Sequence, residues 1–186
     1  MPDFIHSLLK QDIGHLRIIA GLWGLELESN EVDSAREELS VSILDFEAVR
    51  ETMDILPADA RAALRSLVES NGKMEWGIFA RKFGEIRVMG EGKRDRERPH
   101  LKPISPAETR FYYGFLAKAF FDSGKGTQEF AYIPDDLLEL MKLEGHEAKK
   151  QESLGRPATP VEKAFEIPAS DRILDDATTY LAALRL

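Results

Sequence analysis

Ser105-Pro106-Ala107-Glu108 is the strongest local signal in the chain. Serine followed three residues later by glutamate is a capping box. Proline suits the first helical position, where an N–H would have no intrahelical partner. The box fixes a helix start, and Phe111, Tyr112, Phe115, Leu116 and Ala119 carry that helix to about Phe120. Phe120-Phe121-Asp122, Ser123-Gly124-Lys125-Gly126 and Thr127 to Ile133 then read as a β-hairpin, with glycine supplying positive φ at the tip. A helix leading into a single hairpin constrains the rest, because every other apolar run is short and helical.

Those runs come in order. Leu16, Ile19, Ala20 and Trp23 share a face before Gly24; Ala35, Leu39, Ile43 and Leu44 form a second helix from about Asp33; Phe46, Val49, Met53 and Ile55 form a third. Leu56-Pro57 opens a helix with Ala60, Leu64, Leu67 and Val68 inward, ended by Asn71-Gly72. Met74 to Phe83 is a shorter helix. Pro134 opens another, with Leu137, Leu138 and Met141 apolar. Residues 144–169, rich in charge, Gly and Pro, read as a linker or extended arm. Ser170-Asp171 caps a last helix that stays apolar to Leu186, as in the N-terminal part of a larger protein or a helix buried in a partner.

The fold expected is mainly α with a small β-hairpin: a helical subdomain over 1–55, a winged helix-turn-helix over 56–143, the arm, and a C-terminal helix over 170–186. Three helices followed by a hairpin is the winged-helix order, the third helix entering a major groove and the hairpin acting as the wing. The outer face of that third helix carries Arg110, Tyr113, Gly114, Ala117 and Lys118, and the wing tip carries Lys125. Gly114 and Ala117 are small enough for a partner backbone to approach.

The stretch from Glu85 to Ile104 is anomalous, since a helix-turn-helix connection takes three or four residues and long structureless loops are usually functional or disordered. It holds Arg87, Lys93, Arg94, Arg96, Arg98 and Lys102 against Glu85, Glu91, Asp95 and Glu97, next to Arg81 and Lys82. Two readings stay open: a phosphate-binding cluster, or a solvated mixture whose charges pair internally. Four to six phosphate contacts imply a log K against log salt slope of roughly −4 to −5.

Net charge is -8, which argues against a non-specific polyanion binder, but it is uneven. Residues 1–60 carry 13 acids and 4 bases, residues 61–133 carry 14 bases and 9 acids, and the remainder is acidic again. The basic centre suits double-stranded DNA; the acidic N-terminal helices and the C-terminal helix suit a protein partner. No Cys is present, which fits a reducing compartment and excludes disulfide scaffolds and thiolate chemistry. No run is long enough to span a bilayer, and the start is acidic rather than a signal peptide, so a cytoplasmic protein without a membrane role is expected.

Leu56 to Leu140 resembles the winged-helix module at the N-terminus of bacterial XPB-type helicases and of helicase-associated proteins that lack a motor. The resemblance rests on Leu56-Pro57 with Ala63-Leu64, the aromatic third helix, and Tyr132-Ile133-Pro134-Asp135-Asp136-Leu137-Leu138. Segments around Gly84-Glu85, Arg94-Asp95-Arg96-Glu97-Arg98-Pro99 and Leu154-Gly155-Arg156-Pro157-Ala158-Thr159-Pro160 resemble a bacterial subgroup of such proteins. Leu16 to Leu44 is similar to the SAP-like helical hairpin often placed before that module, although here it is acidic. The resemblance implies a DNA-associated module without catalysis.

Catalytic signatures are missing. Gly92-Lys93-Arg94 and Gly124-Lys125-Gly126 do not fit a P-loop, and His6, His15, His100 and His146 lack zinc-helix spacing. Asp135-Asp136 and Asp175-Asp176 suit helix starts better than metals. The aromatic residues over 111–121 suit a core, with Tyr113 excepted as a base-stacking candidate. No enzyme activity and no cofactor is expected. The nucleic-acid contacts expected are Arg81, Lys82, Lys93, Arg94, Arg96, Arg98, Arg110, Tyr113, Lys118 and Lys125; the alternative is a docking module that binds no nucleic acid.

Overall fold

The computed structural model describes residues 1–122, 124, 126–150 and 172–184. Met1–Lys150 is one compact unit, and Gln151–Leu186 is a second. The first unit runs α1 (Phe4–Ser7), α2 (Ile13–Leu22), α3 (Val32–Ile43), α4 (Phe46–Ile55), α5 (Ala58–Glu69), β1 (Lys73–Glu75), α6 (Trp76–Phe83), α7 (Glu91–Glu97), α8 (Pro106–Tyr112), β2 (Ala117–Asp122), β3 (Thr127–Tyr132) and α9 (Asp135–Lys150). The second contains α10 (Arg172–Ala183). The protein is mostly helical with one small antiparallel sheet, in the order β1-β3-β2.

Local chemistry starts these helices. Asp3, Asp12, Asp45 and Ser105 each accept a hydrogen bond from the backbone N–H three residues on, at His6, His15, Ala48 and Glu108. Each such cap contributes about 1 kcal/mol. One core then gathers residues from α1 to α9, including Phe4, Leu16, Leu39, Val49, Leu64, Phe79, Phe115 and Leu137. The expected segments 1–55 and 56–143 therefore share a core. Asp135-Asp136 fastens the chain start to the first turn of α9: Asp135 pairs with the Met1 amine, and Asp136 accepts from the Phe4 N–H at 3.0 Å. Gly72 sits at φ +80, where a Cβ would run into the Leu138 and Met1 side chains, so only glycine closes α5 against α9 here.

Four elements depart from the expectation. The helix expected over 105–120 stops at Tyr112, and Ala117–Asp122 is a strand. Gly114 at φ +77 breaks the helix, and the six register pairs from Ala117↔Tyr132 to Asp122↔Thr127 take the following residues into the sheet. The expected hairpin is present but longer, and β1 adds a third strand through Lys73↔Tyr132 to Glu75↔Phe130. Three residues are too few to show an alternating pattern. The stretch from Glu85 to Ile104 holds a helix, α7, which is too charged to show an apolar period. The helix after Pro134 runs on to Lys150, into the expected arm. The remainder of the arm and Ser170-Asp171 lie outside the described residues.

Candidate nucleic-acid interface

Glu108 organises the stretch between α6 and α8. It is fully buried. Its carboxylate accepts from Arg87 Nε at 2.8 Å, Arg87 Nη2 at 2.7 Å and the N–H groups of Arg87 and Ile104 at 3.2 and 2.9 Å. Arg87 Nη2 also donates to the Lys102 carbonyl, and Ser105 Oγ donates to the Glu85 carbonyl at 2.6 Å. Both ends of the 85–104 excursion are thus clasped to the first turn of α8. Burial works to raise the Glu108 pKa, but the Arg87 hydrogen bonds and the two backbone N–H groups outweigh it and hold the carboxyl below its usual range.

Arg94 is the second anchor. It is buried, and its guanidinium reaches Asp12 at 2.8 Å and Asp95 at 2.8 Å. It ties α7 to the N-cap of α2, so it is unavailable to a phosphate. Arg110 also departs from expectation. It faces the interior between α8 and the α5–α6 pair, and is fully buried. Its Nε donates to the Pro106 carbonyl at 2.9 Å, and its guanidinium carbon lies 5.4 Å from the ring centroids of both Phe79 and Phe83. Among the described residues, Nη1 and Nη2 have no hydrogen-bond partner. Burial pushes its pKa down to about 9, offset in part by Asp59.

The expected exposed face of the third helix does not form. Gly114 is approached by Phe4 of the same chain rather than by a partner, and Ala117 is buried. Tyr113 is half-buried and stacks on Phe115 with centroids 6.5 Å apart, while its carbonyl accepts from Trp23 Nε1 at 2.9 Å. It is not an open stacking platform. Lys118 reaches Glu129 at 3.0 Å and lies 4.3 Å from the Trp76 ring centroid. Lys125 lies outside the described residues.

Besides Lys118, which is exposed on β2 but held by Glu129 and Trp76, five of the expected contacts are exposed: Arg81 and Lys82 in the last turn of α6, Lys93 and Arg96 on α7, and Arg98 just after it. Arg81 and Lys82 also complement the negative end of the α6 dipole. On α7, Lys93 pairs with Glu97 at 3.7 Å and Arg96 Nε donates to the Gly92 carbonyl at 3.1 Å. Such exposed contacts are weak and exchange readily. Arg98 adopts φ 46 at the end of α7. The arrangement suits contact with backbone phosphates. It does not suit base reading, because α8 is only about 10 Å long and turns its charges inward.

Sequence reasoning missed Asp12, His15 and Glu108 as organising residues. The Asp12-x-x-His15 spacing marks a helix N-cap, but nothing local shows that the same aspartate meets Arg94. Among the described residues, no group of three or more His, Asp or Glu is placed to hold a metal, and no helix is long and apolar enough to cross a membrane. No protein-family model, curated protein or solved structure matches the chain.

Proposed function

We propose that this chain is a non-catalytic DNA-binding module of the helicase-associated kind, built on a winged helix over 56–143, that meets the duplex through its phosphates. The observation that carries the reading is the element order. Helix α5, strand β1, helix α6, the intervening short helix α7, helix α8 and the β2–β3 hairpin follow one another, with the sheet ordered β1-β3-β2. The resemblance to the module of XPB-type helicases points the same way. The contacts assigned are Arg81, Lys82, Lys93, Arg96 and Arg98, and binding is largely indifferent to base sequence.

Five phosphate contacts give a salt slope of about −4.5, so affinity for a labelled duplex falls about 10²- to 10³-fold from ~50 to ~200 mM salt. The Lys93/Arg96/Arg98→Ala variant spares Arg94 and hence the fold. It is expected to lose more than about tenfold in affinity and to flatten the slope by about 2.7. Duplex binding indifferent to salt and to this variant contradicts the reading. A docking role is the second reading, favoured by Val88, Leu101 and Ile104, which are exposed in the same segment. Absence of duplex binding at low salt selects it.

A further inference from the structure

The sheet ends on β2, and that edge is unpaired. β3 takes one side of β2 through six consecutive register pairs, from Ala117↔Tyr132 to Asp122↔Thr127, with no bulge. Among the described residues, no strand takes its other side. Six residues make an edge about 20 Å long. An open edge of that length templates pairing with another chain, and proteins blunt such edges with proline, bulges, charges or brevity. β2 has no proline and no bulge. The opposite edge, β1, is only three residues long and is blunted by that alone.

The charges on β2 are informative by their placement. Residues 118, 120 and 122 alternate onto one face, and all three are exposed. Phe120 is 69% exposed and so contributes little to the core. Lys118 and Asp122 stand two residues to either side of it, with opposite signs. An antiparallel copy turned about Phe120 therefore meets its own complement. Lys118 faces Asp122 of the second copy, Asp122 faces its Lys118, and the two Phe120 rings meet at the axis. On the reverse face Ala119 meets Phe121 of the copy, small against large. Parallel pairing in register sets lysine on lysine and aspartate on aspartate. An antiparallel slip of two residues loses both ion pairs and the ring pair. One register is selected. Lys118 is already held on this face by Glu129 at 3.0 Å, which takes one of its three donors and leaves others for Asp122 of the copy.

We propose that β2 pairs antiparallel with β2 of a second copy of this chain, joining two small sheets into one ordered β1-β3-β2-β2-β3-β1. Main-chain hydrogen bonds supply the attachment, and the side chains at 118, 120 and 122 set the register. The contact is isologous and consumes both open edges, so assembly stops at the dimer. The joined sheet then ends on β1 at either side. Two strands of this length make a small interface, so the dimer forms and dissolves with concentration. The contact uses none of the cations assigned to the duplex and does not depend on that reading.

Sedimentation velocity of the whole chain from about 10 µM to about 1 mM brackets the affinities of small transient interfaces. The expected result is a monomer at the low end that passes to a dimer at the high end, with no larger species. Amide ¹H–¹⁵N shifts are expected to move over residues 117–122 across that range and to stay fixed over residues 73–75. Phe120→Thr, an exposed change to another good strand former, is expected to weaken the dimer about tenfold. Lys118→Glu and Asp122→Lys each oppose like charges in the paired register, so each alone is expected to stay monomeric. Mixed in equal amounts they oppose unlike charges again, and a heterodimer is expected within about tenfold of the parent affinity. Circular dichroism confirms that each variant is folded; if Lys118→Glu fails beside Glu129, the other two variants and the amide shifts carry the test. Four results overturn the proposal: a monomer throughout, which leaves the edge to another protein; growth beyond the dimer; a dimer indifferent to Phe120→Thr and Asp122→Lys; or folded charge variants that do not associate when mixed.

Discussion

Glu108→Ala is expected to lower the unfolding free energy by about 3–5 kcal/mol, read from urea denaturation at neutral pH. The carboxylate is fully buried and takes four hydrogen bonds, three of them from Arg87. Truncation leaves the Arg87 guanidinium without its anion and the Ile104 N–H without an acceptor, and it opens both ends of the 85–104 clasp. An unchanged urea midpoint would refute the role given to this residue. The same carboxylate sets an acid limit. Its folded pKa is depressed, so its contribution is present above the unfolded value and is lost as pH falls through the folded one. His15 acts earlier. It stays neutral in the fold down to about 4, whereas an unfolded histidine protonates near its ordinary value of 6.5. Stability therefore erodes between those two values, by up to about 3 kcal/mol from this buried ring. His15→Gln removes the erosion in that window and leaves the carboxylate loss below it.

Arg110→Met is expected to act in the opposite direction, raising stability by about 1–4 kcal/mol. A wholly buried guanidinium has lost its hydration, and only Nε has recovered a hydrogen bond. The faces of Phe79 and Phe83 return part of that loss as cation–π attraction, about 2 kcal/mol each at most sites of this kind. No described carboxylate bonds the two terminal nitrogens. Methionine keeps an unbranched side chain against the two rings and has no donors to satisfy. For a chain of this size the gain corresponds to a Tm higher by about 3–10 °C. A lower Tm would mean that the charge is held by an interaction absent from this account.

The helices were legible where their signals are local. α4 runs from Phe46 to Ile55 as its spacing indicates, α3 and α5 fall within a residue or two of expectation, and α2 ends just before Gly24 as expected. β2 was hidden because Phe111, Tyr112, Phe115 and Leu116 continue a helical spacing into residues that pair with β3. The candidate site was harder to read. Charge type alone places Arg94 and Arg110 at the surface, yet one meets an aspartate 82 positions away and the other packs against two phenylalanines. Neither relation leaves a trace in neighbouring residues. The interleaved acids around Lys93 to Arg98 proved to be partly structural partners, since Asp95 grips Arg94 and Glu97 reaches Lys93.

The central claim is that duplex DNA meets the outer surface of α6 and α7 and not the inward-facing α8. Side-chain and backbone NMR shifts of the labelled chain, recorded while a short duplex is added at low salt, test it residue by residue. The account expects perturbations at Arg81, Lys82, Lys93, Arg96 and Arg98 that vanish as salt is raised, with Arg94 and Arg110 unmoved. Perturbations centred on α8, or none at any of these residues, would contradict it.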